Sequence, residues 1–123
     1  MEKQRNVFGE NIKECSCSPM TGFYRDGLCN TDSDDVGSHT ICAQVTEDFL
    51  SYSKNKGNDL STPVPEFGFA GLKEGDRWCL CAERWKEAFE DGKAPKVVLE
   101  STNEEVLKVI PLENLKQYAI DLV

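Results

Sequence analysis

Six cysteines are the residues of this chain with the widest range of chemistry, and four of them form two C-x-C pairs. They are Cys15, Cys17, Cys29, Cys42, Cys79 and Cys81. In a reducing compartment, such cysteines are more often buried small residues, metal ligands or reactive thiols than disulfides. For this reason we favour thiols or metal ligands over bridges, although the sequence itself leaves each cysteine's state open.

The second pair lies in a predicted strand over residues 77–82. Side chains alternate along a strand, so Cys79 and Cys81 should share one face, with Trp78 and Leu80 on the other. The two Cα atoms would then lie about 6.6 Å apart, near the upper limit for a disulfide, so a bond between them would be strained. Both thiolates could instead reach one zinc ion through bonds of about 2.3 Å.

A zinc site would combine this pair with a further ligand. We take Cys42, Cys79 and Cys81 as the candidate ligands, with Cys29 or His39 as alternatives. Structural zinc sites usually carry C-x(2–4)-C pairs, so C-x-C is not diagnostic, and buried packing is the simpler alternative.

The single histidine, His39, is the natural candidate for proton transfer near neutral pH. A lone histidine beside a strand is usually structural. It would form a nucleophilic pair if one of the six thiols lay beside its ring, which residue spacing cannot show.

Several polar residues could bind a small polar molecule where the 57–77 loop meets the Cys79–Cys81 strand. In this prediction Arg25 and Arg77 hold an anionic group, and Asp59 orients the ligand or acts as a base. Asp26 would pair with Arg25 in a turn. Each of these residues has a simpler interpretation as turn chemistry.

The sequence pattern predicts a single small α+β domain over residues 7–123, after a flexible segment at 1–6. Its helices and strands would position the residues described above. Turns joining short strands are expected in the glycine- and cysteine-rich first part, and about four helices mostly in the second half. Further strands are predicted at 40–45 and 97–99. Helices are predicted at 47–56 after Thr46, at 83–91, from a Thr102/Glu105 capping box to 109, and from Pro111 onward.

Residues 58–76 are predicted to form a long loop, because proline and glycine residues interrupt any helical or strand periodicity of the apolar residues. Phe67, Phe69 and Leu72 are its expected apolar anchors.

Charge and hydropathy exclude some functions. The formal net charge of −8, with 14 basic and 22 acidic residues, disfavours binding to nucleic acid or to an anionic membrane surface. The first residues are charged and lack the apolar stretch of a secretory signal, which favours a cytoplasmic location. The remaining partners are a small polar molecule or another protein. A protein-interaction module with buried cysteines and a thiol-redox protein are therefore the alternatives to a ligand- or metal-binding domain.

Several long motifs resemble the family known as domain of unknown function 2237, found mainly in bacteria. They are residues 21–27 (TGFYRDG), 37–43 (GSHTICA), 57–63 (GNDLSTP), 65–69 (PEFGF) and 75–82 (GDRWCLCA). The resemblance spans residues 6–119 and implies a stand-alone domain of this length. It implies no activity, so it adds no catalytic residues. The family pattern retains five of the six cysteine positions and varies at Cys17.

Overall fold

The computed structural model describes residues 4–121, and a three-stranded antiparallel sheet lies at its centre. The strands are β1 (His39–Gln44), β2 (Arg77–Cys81) and β3 (Lys96–Val97), in the order β2-β1-β3. Trp78 and Leu80 of β2 face the main hydrophobic core, whereas Cys79 faces a second, smaller core. The predicted alternation is therefore confirmed for residues 78–80, whereas Cys81 lies outside the cluster of Cys79, at the end of the strand where the register shifts.

Three α-helices accompany the sheet: α1 (Glu47–Asn55), α2 (Ala82–Glu90) and α3 (Leu112–Lys116). The Thr46 hydroxyl accepts a hydrogen bond from the Phe49 amide at 3.1 Å, which confirms the predicted cap of α1. Trp85 of α2 is fully buried, and its indole nitrogen donates to the Pro95 carbonyl at 3.2 Å. The helices thus fix the main core against one face of the sheet.

The helix predicted from Thr102 to residue 109 is a 3-10 helix, Glu104–Lys108, and Thr102 does not cap it. The Asn103 side chain accepts the Glu105 amide at 3.0 Å. Thr102 is fully buried instead, and its hydroxyl bonds the Val98 carbonyl and the Cys42 amide. The capping-box prediction was wrong because these long-range partners take the threonine hydroxyl.

The first third of the described chain holds isolated bridges rather than the expected short strands. It is attached to the rest of the domain by backbone hydrogen bonds, such as Val7 to Thr102, and by side chains such as Asn6. Asn6 is fully buried and donates to the Glu100 carbonyl at 3.0 Å. The folded part therefore reaches into the segment predicted as a flexible terminus, whose residues 1–3 lie outside the described residues.

The loop between α1 and β2 contains a short 3-10 helix, Pro65–Phe67. Leu72 is buried, and the Phe69 ring packs 5.3 Å from the Trp78 ring, so both anchor the loop as predicted. Phe67, which was also predicted to anchor the loop, does not do so, because it is 86% exposed.

These elements make a small α+β domain, as the sequence predicted, with three α-helices among residues 4–121 instead of about four. None of the helices described is long and apolar enough to cross a membrane.

Candidate functional site

Four cysteines meet in the smaller core and form two disulfides. Cys15 is bonded to Cys42, and Cys29 to Cys79, with Cα–Cα distances of 5.6 and 5.3 Å. All four are at most 5% exposed. The expectation of unbridged thiols was therefore wrong for these four residues. The pairs are 27 and 50 residues apart, and residue spacing does not reveal such pairings.

The predicted zinc ligands are only partly brought together. Cys42 and Cys79 lie opposite each other across β1 and β2, but Cys81 is a free thiol outside their cluster. The sulfurs of Cys15, Cys29 and Cys79 lie within 4.8 Å of one another. A set of cysteines that could hold a metal is present, and its members differ from those that the C-x-C spacing suggested.

Cys81 lies across the sheet from His39. The two residues are register partners at the end of the β1–β2 ladder, where a bulge follows His39. Directly opposed residues in an antiparallel pair have Cα atoms about 4.5–5.5 Å apart. Bulges re-aim side chains and are common beside active sites. Cys81 also immediately precedes α2, where the helix N-terminus favours negative charge.

The His39 ring is held in place by a buried carboxylate. Asp35, whose side chain is fully buried, contacts His39 Nδ1 at 2.6 Å and accepts the His39 amide at 2.8 Å. Its second oxygen also accepts the Thr31 hydroxyl at 2.9 Å. An ionised carboxylate only accepts hydrogen bonds, so this contact favours the neutral tautomer with the proton on Nδ1, in which Nε2 is the acceptor.

The surroundings of the ring leave little room for another orientation. A Cβ atom added to Gly37 would lie 2.7 Å from His39 Cε1. On another side the Phe23 ring stacks on the imidazole at a centroid distance of 6.1 Å. The spacing Asp35-x3-His39 was the sequence signal for this pair, and our prediction missed it.

His39 and Cys81 line the same pocket, which has a volume of about 220 Å³. It lies where the loop after α1 meets β2. Its walls are His39, Asn58, Leu60, Trp78, Leu80, Cys81 and Arg84. Arg84 is the only permanently charged residue among them, and its guanidinium also lies 3.5 Å from a Glu87 carboxylate oxygen. Sequence reasoning missed Arg84 and Asn58.

Backbone strain is concentrated beside this pocket. Among residues 4–121, the non-glycine residues with positive φ are Ser38 and Arg25, at 51° and 54°. Ser38 directly precedes His39, and the Arg25 guanidinium lies 5.2 Å from the centre of the Trp78 ring. Such conformations are costly and cluster at functional sites.

The other predicted ligand-binding residues have local partners. Asp26 accepts the Leu28 amide and the Asn30 side chain, and no ion pair joins it to Arg25 in the described chain. Arg77, at the opposite end of β2 from Cys81, donates to Gln44 at 3.3 Å.

Asp59 follows Asn58 but caps its own turn. It accepts the Ser61 and Thr62 amides and the Thr62 hydroxyl. The hydroxyl bond from Thr62 is the main cause that lowers the pKa of Asp59, assisted by the Ser61 amide. This geometry favours the turn-capping interpretation, and the predicted role in ligand binding has no contact to support it.

Cys17, the second free thiol, provides an internal comparison for Cys81. Its sulfur lies 3.1 Å from a Glu14 carboxylate oxygen, and this hydrogen bond is the main cause that raises the pKa of Cys17. Since the thiolate is the nucleophile, Glu14→Gln should raise the thiolate fraction and speed alkylation of Cys17 at pH 8. Peptide-resolved mass spectrometry would measure the rate. An unchanged or slower rate would contradict the assigned hydrogen bond.

The fold and site define a small α+β domain with a buried four-cysteine core and a pocket lined by His39 and the free thiol of Cys81. The chain belongs to the family described as "Uncharacterized protein conserved in bacteria (DUF2237)", whose model matches residues 5–119. The family resemblance seen in the motifs is thereby confirmed. No curated protein matches the chain.

Proposed function

We propose that this domain binds a small anionic molecule in the His39–Cys81 pocket, and that Cys81 attacks an electrophilic carbon of that molecule. The observation that carries the proposal is that a free thiol and a carboxylate-oriented imidazole line one pocket and belong to register partners in the sheet. A nucleophile, a base and a residue that orients the base make the usual arrangement of an activated nucleophile.

Each residue has a defined role in the proposed step. His39 Nε2 accepts the proton of the Cys81 thiol, and the thiolate forms a bond to the electrophilic carbon. The leaving group departs with the electrons of the broken bond and takes the proton from His39. Asp35 keeps the proton on Nδ1 throughout and so acts as a positioning residue.

Arg84 supplies the positive charge for the ligand. Its guanidinium is tethered at the pocket rim, because it donates to the Lys56 carbonyl at 3.2 Å and lies 3.5 Å from a Glu87 oxygen. The Asn58 amide is the further polar group at this wall, and Leu60, Trp78 and Leu80 provide the apolar surface. The expected ligand thus combines one anionic group with a compact apolar body.

Charge selectivity of alkylation tests this function. Iodoacetate and iodoacetamide have the same electrophilic carbon but differ in charge, and both lose iodide when a thiolate attacks. We expect the iodoacetate-to-iodoacetamide rate ratio at Cys81 to exceed that at Cys17 by roughly 5- to 10-fold, since an opposite charge at about 4 Å contributes about 1 kcal/mol or more.

Variants separate charge from structure in this test. Arg84→Gln should lower the Cys81 ratio to the Cys17 value, whereas Arg84→Lys should keep most of it. Arg77→Gln, at the far end of β2, is the matched control and should leave the ratio unchanged. Equal ratios at the two cysteines of the wild-type protein would contradict the proposed anionic preference.

A further inference from the structure

The four cysteines of the smaller core carry a second inference, independent of the His39–Cys81 pocket. We propose that reduction of both disulfides turns Cys15, Cys29, Cys42 and Cys79 into a tetrathiolate site for one zinc ion. In this chain the bridged and metal-bound forms are alternative states of the same four sulfurs.

The sulfurs are already close to the spacing that zinc requires. Zn–S bonds of about 2.3 Å in a tetrahedral site place sulfurs about 3.8 Å apart. The sulfurs of Cys15, Cys29 and Cys79 lie within 4.8 Å of one another, and the Cys42 sulfur is bonded to that of Cys15. The proposed site requires the Cys42 side chain to rotate toward Cys29 and Cys79 once its bond to Cys15 is broken.

The backbone around the four sulfurs is also held by hydrogen bonds, in addition to the disulfides. Cys42 and Cys79 are register partners in the sheet. The Cys79 amide donates to the Thr21 hydroxyl at 2.8 Å, and the Cys42 amide to the Thr102 hydroxyl at 3.2 Å.

The two cysteines outside the sheet are held in the same way. The Cys15 amide donates to the Gly27 carbonyl at 2.7 Å, and the Cys29 carbonyl accepts the Asn103 side chain at 3.1 Å. We therefore expect the four backbone positions to stay close together when the sulfur–sulfur bonds are broken.

The chemistry of the cluster selects a thiolate-binding metal. Ile12 and Val98 are buried in the same cluster and Leu28 packs against it, and the Thr21 and Thr102 hydroxyls are the polar side chains that bond the Cys79 and Cys42 amides. Soft thiolate ligands without carboxylates favour zinc over magnesium, calcium or manganese.

The conversion balances with a dithiol as the reductant. Each disulfide takes two electrons and two protons from one dithiol, which becomes a disulfide. Binding of zinc then releases four protons from the four thiols. The reverse reaction, oxidation of the four thiolates in two pairs, removes the ligands and expels the metal.

Metal binding to the whole chain tests the inference. The protein is reduced anaerobically with a phosphine, mixed with Co²⁺ or Zn²⁺, desalted and analysed by native mass spectrometry and absorption. We expect one metal per reduced chain, with the thiolate-to-cobalt charge-transfer band of a tetrahedral site, and no metal on the oxidised protein. A reduced protein that retains no metal, or equal binding to both forms, would overturn the proposal.

Variants and thiol counting identify the ligands. Cys29→Ser should weaken zinc binding by more than the roughly 10- to 100-fold that outer-shell changes cause, whereas Cys17→Ser and Cys81→Ser should bind normally. Because Cys29→Ser could fail to fold, the wild-type protein is also alkylated with zinc bound. Four of the six thiols should then be protected until a chelator is added. Protection of Cys81, or loss of metal in Cys81→Ser, would refute this ligand set.

Discussion

His39→Asn should slow the alkylation of Cys81 by iodoacetate at least about 100-fold at pH 7, the lower end of what general-base catalysis contributes. The variant loses the base at Nε2, while the Asp35 carboxylate can still accept a hydrogen bond from the asparagine amide. The melting temperature should change little, because the His39 side chain is 37% exposed. Timed quenching followed by peptide mass spectrometry gives the rate.

Cys17 is the control within the same molecule, and its rate should be unaffected by His39→Asn. Asp35→Asn extends the test, because its amide would donate to Nδ1 and place the proton on Nε2, where it blocks base action. Asp35→Asn should therefore also slow the alkylation of Cys81, although His39 is still present. A Cys81 rate within about twofold of wild type in His39→Asn would show that the imidazole does not assist the thiol.

Removing the Cys29–Cys79 bridge should lower the free energy of unfolding by about 4 kcal/mol, the loop-entropy value for a closed loop of about 50 residues. The change is a Cys29→Ala, Cys79→Ala double substitution, measured by denaturant unfolding without reductant. The Cys15–Cys42 bridge closes a shorter loop of about 28 residues. The Cys15→Ala, Cys42→Ala variant should therefore lose slightly less free energy of unfolding, about 3.5 kcal/mol.

Cys17→Ser is the matched control for both double variants, and its effect should stay within about 0.5 kcal/mol because the side chain is exposed. A loss below about 1 kcal/mol in the Cys29, Cys79 variant would mean that these sulfurs are not bonded in the purified protein.

Features set by neighbours in sequence could be predicted. The alternation of Trp78, Cys79 and Leu80 follows from the two-residue period of a strand, and Thr46 caps α1 through an amide three residues away.

Features that depend on distant partners could not be predicted. Thr102 had the local signature of a cap, yet its hydroxyl is bonded to Cys42, 60 residues away. The disulfide pairing required the register of β1 against β2, which places Cys42 opposite Cys79. Arg84 was read only as part of a helix, because its place at the pocket depends on the turn from β2 into α2.

The cytoplasmic location stays a prediction, and it bears on whether the four cysteines of the smaller core are bridged or reduced. Disulfides persist in oxidising compartments, whereas a reducing cytoplasm would keep the same sulfurs as thiols. Because all four sulfurs are buried, a dithiol reaches these bonds only when the smaller core opens locally, so both the thiol-redox alternative and the proposed conversion to a zinc site require such opening. Cys81, half-buried and unbridged, is the thiol better placed to react with a small molecule.

The most direct test of the proposed site is to find which cysteine of the native, oxidised protein reacts first with a limiting amount of iodoacetate. Intact mass gives the number of labels, and peptide mapping gives their position. The orientation of His39 by Asp35 and the charge of Arg84 predict that the first label is on Cys81. A first label on Cys17, the more exposed thiol, would contradict the assignment of Cys81 as the activated nucleophile of this domain.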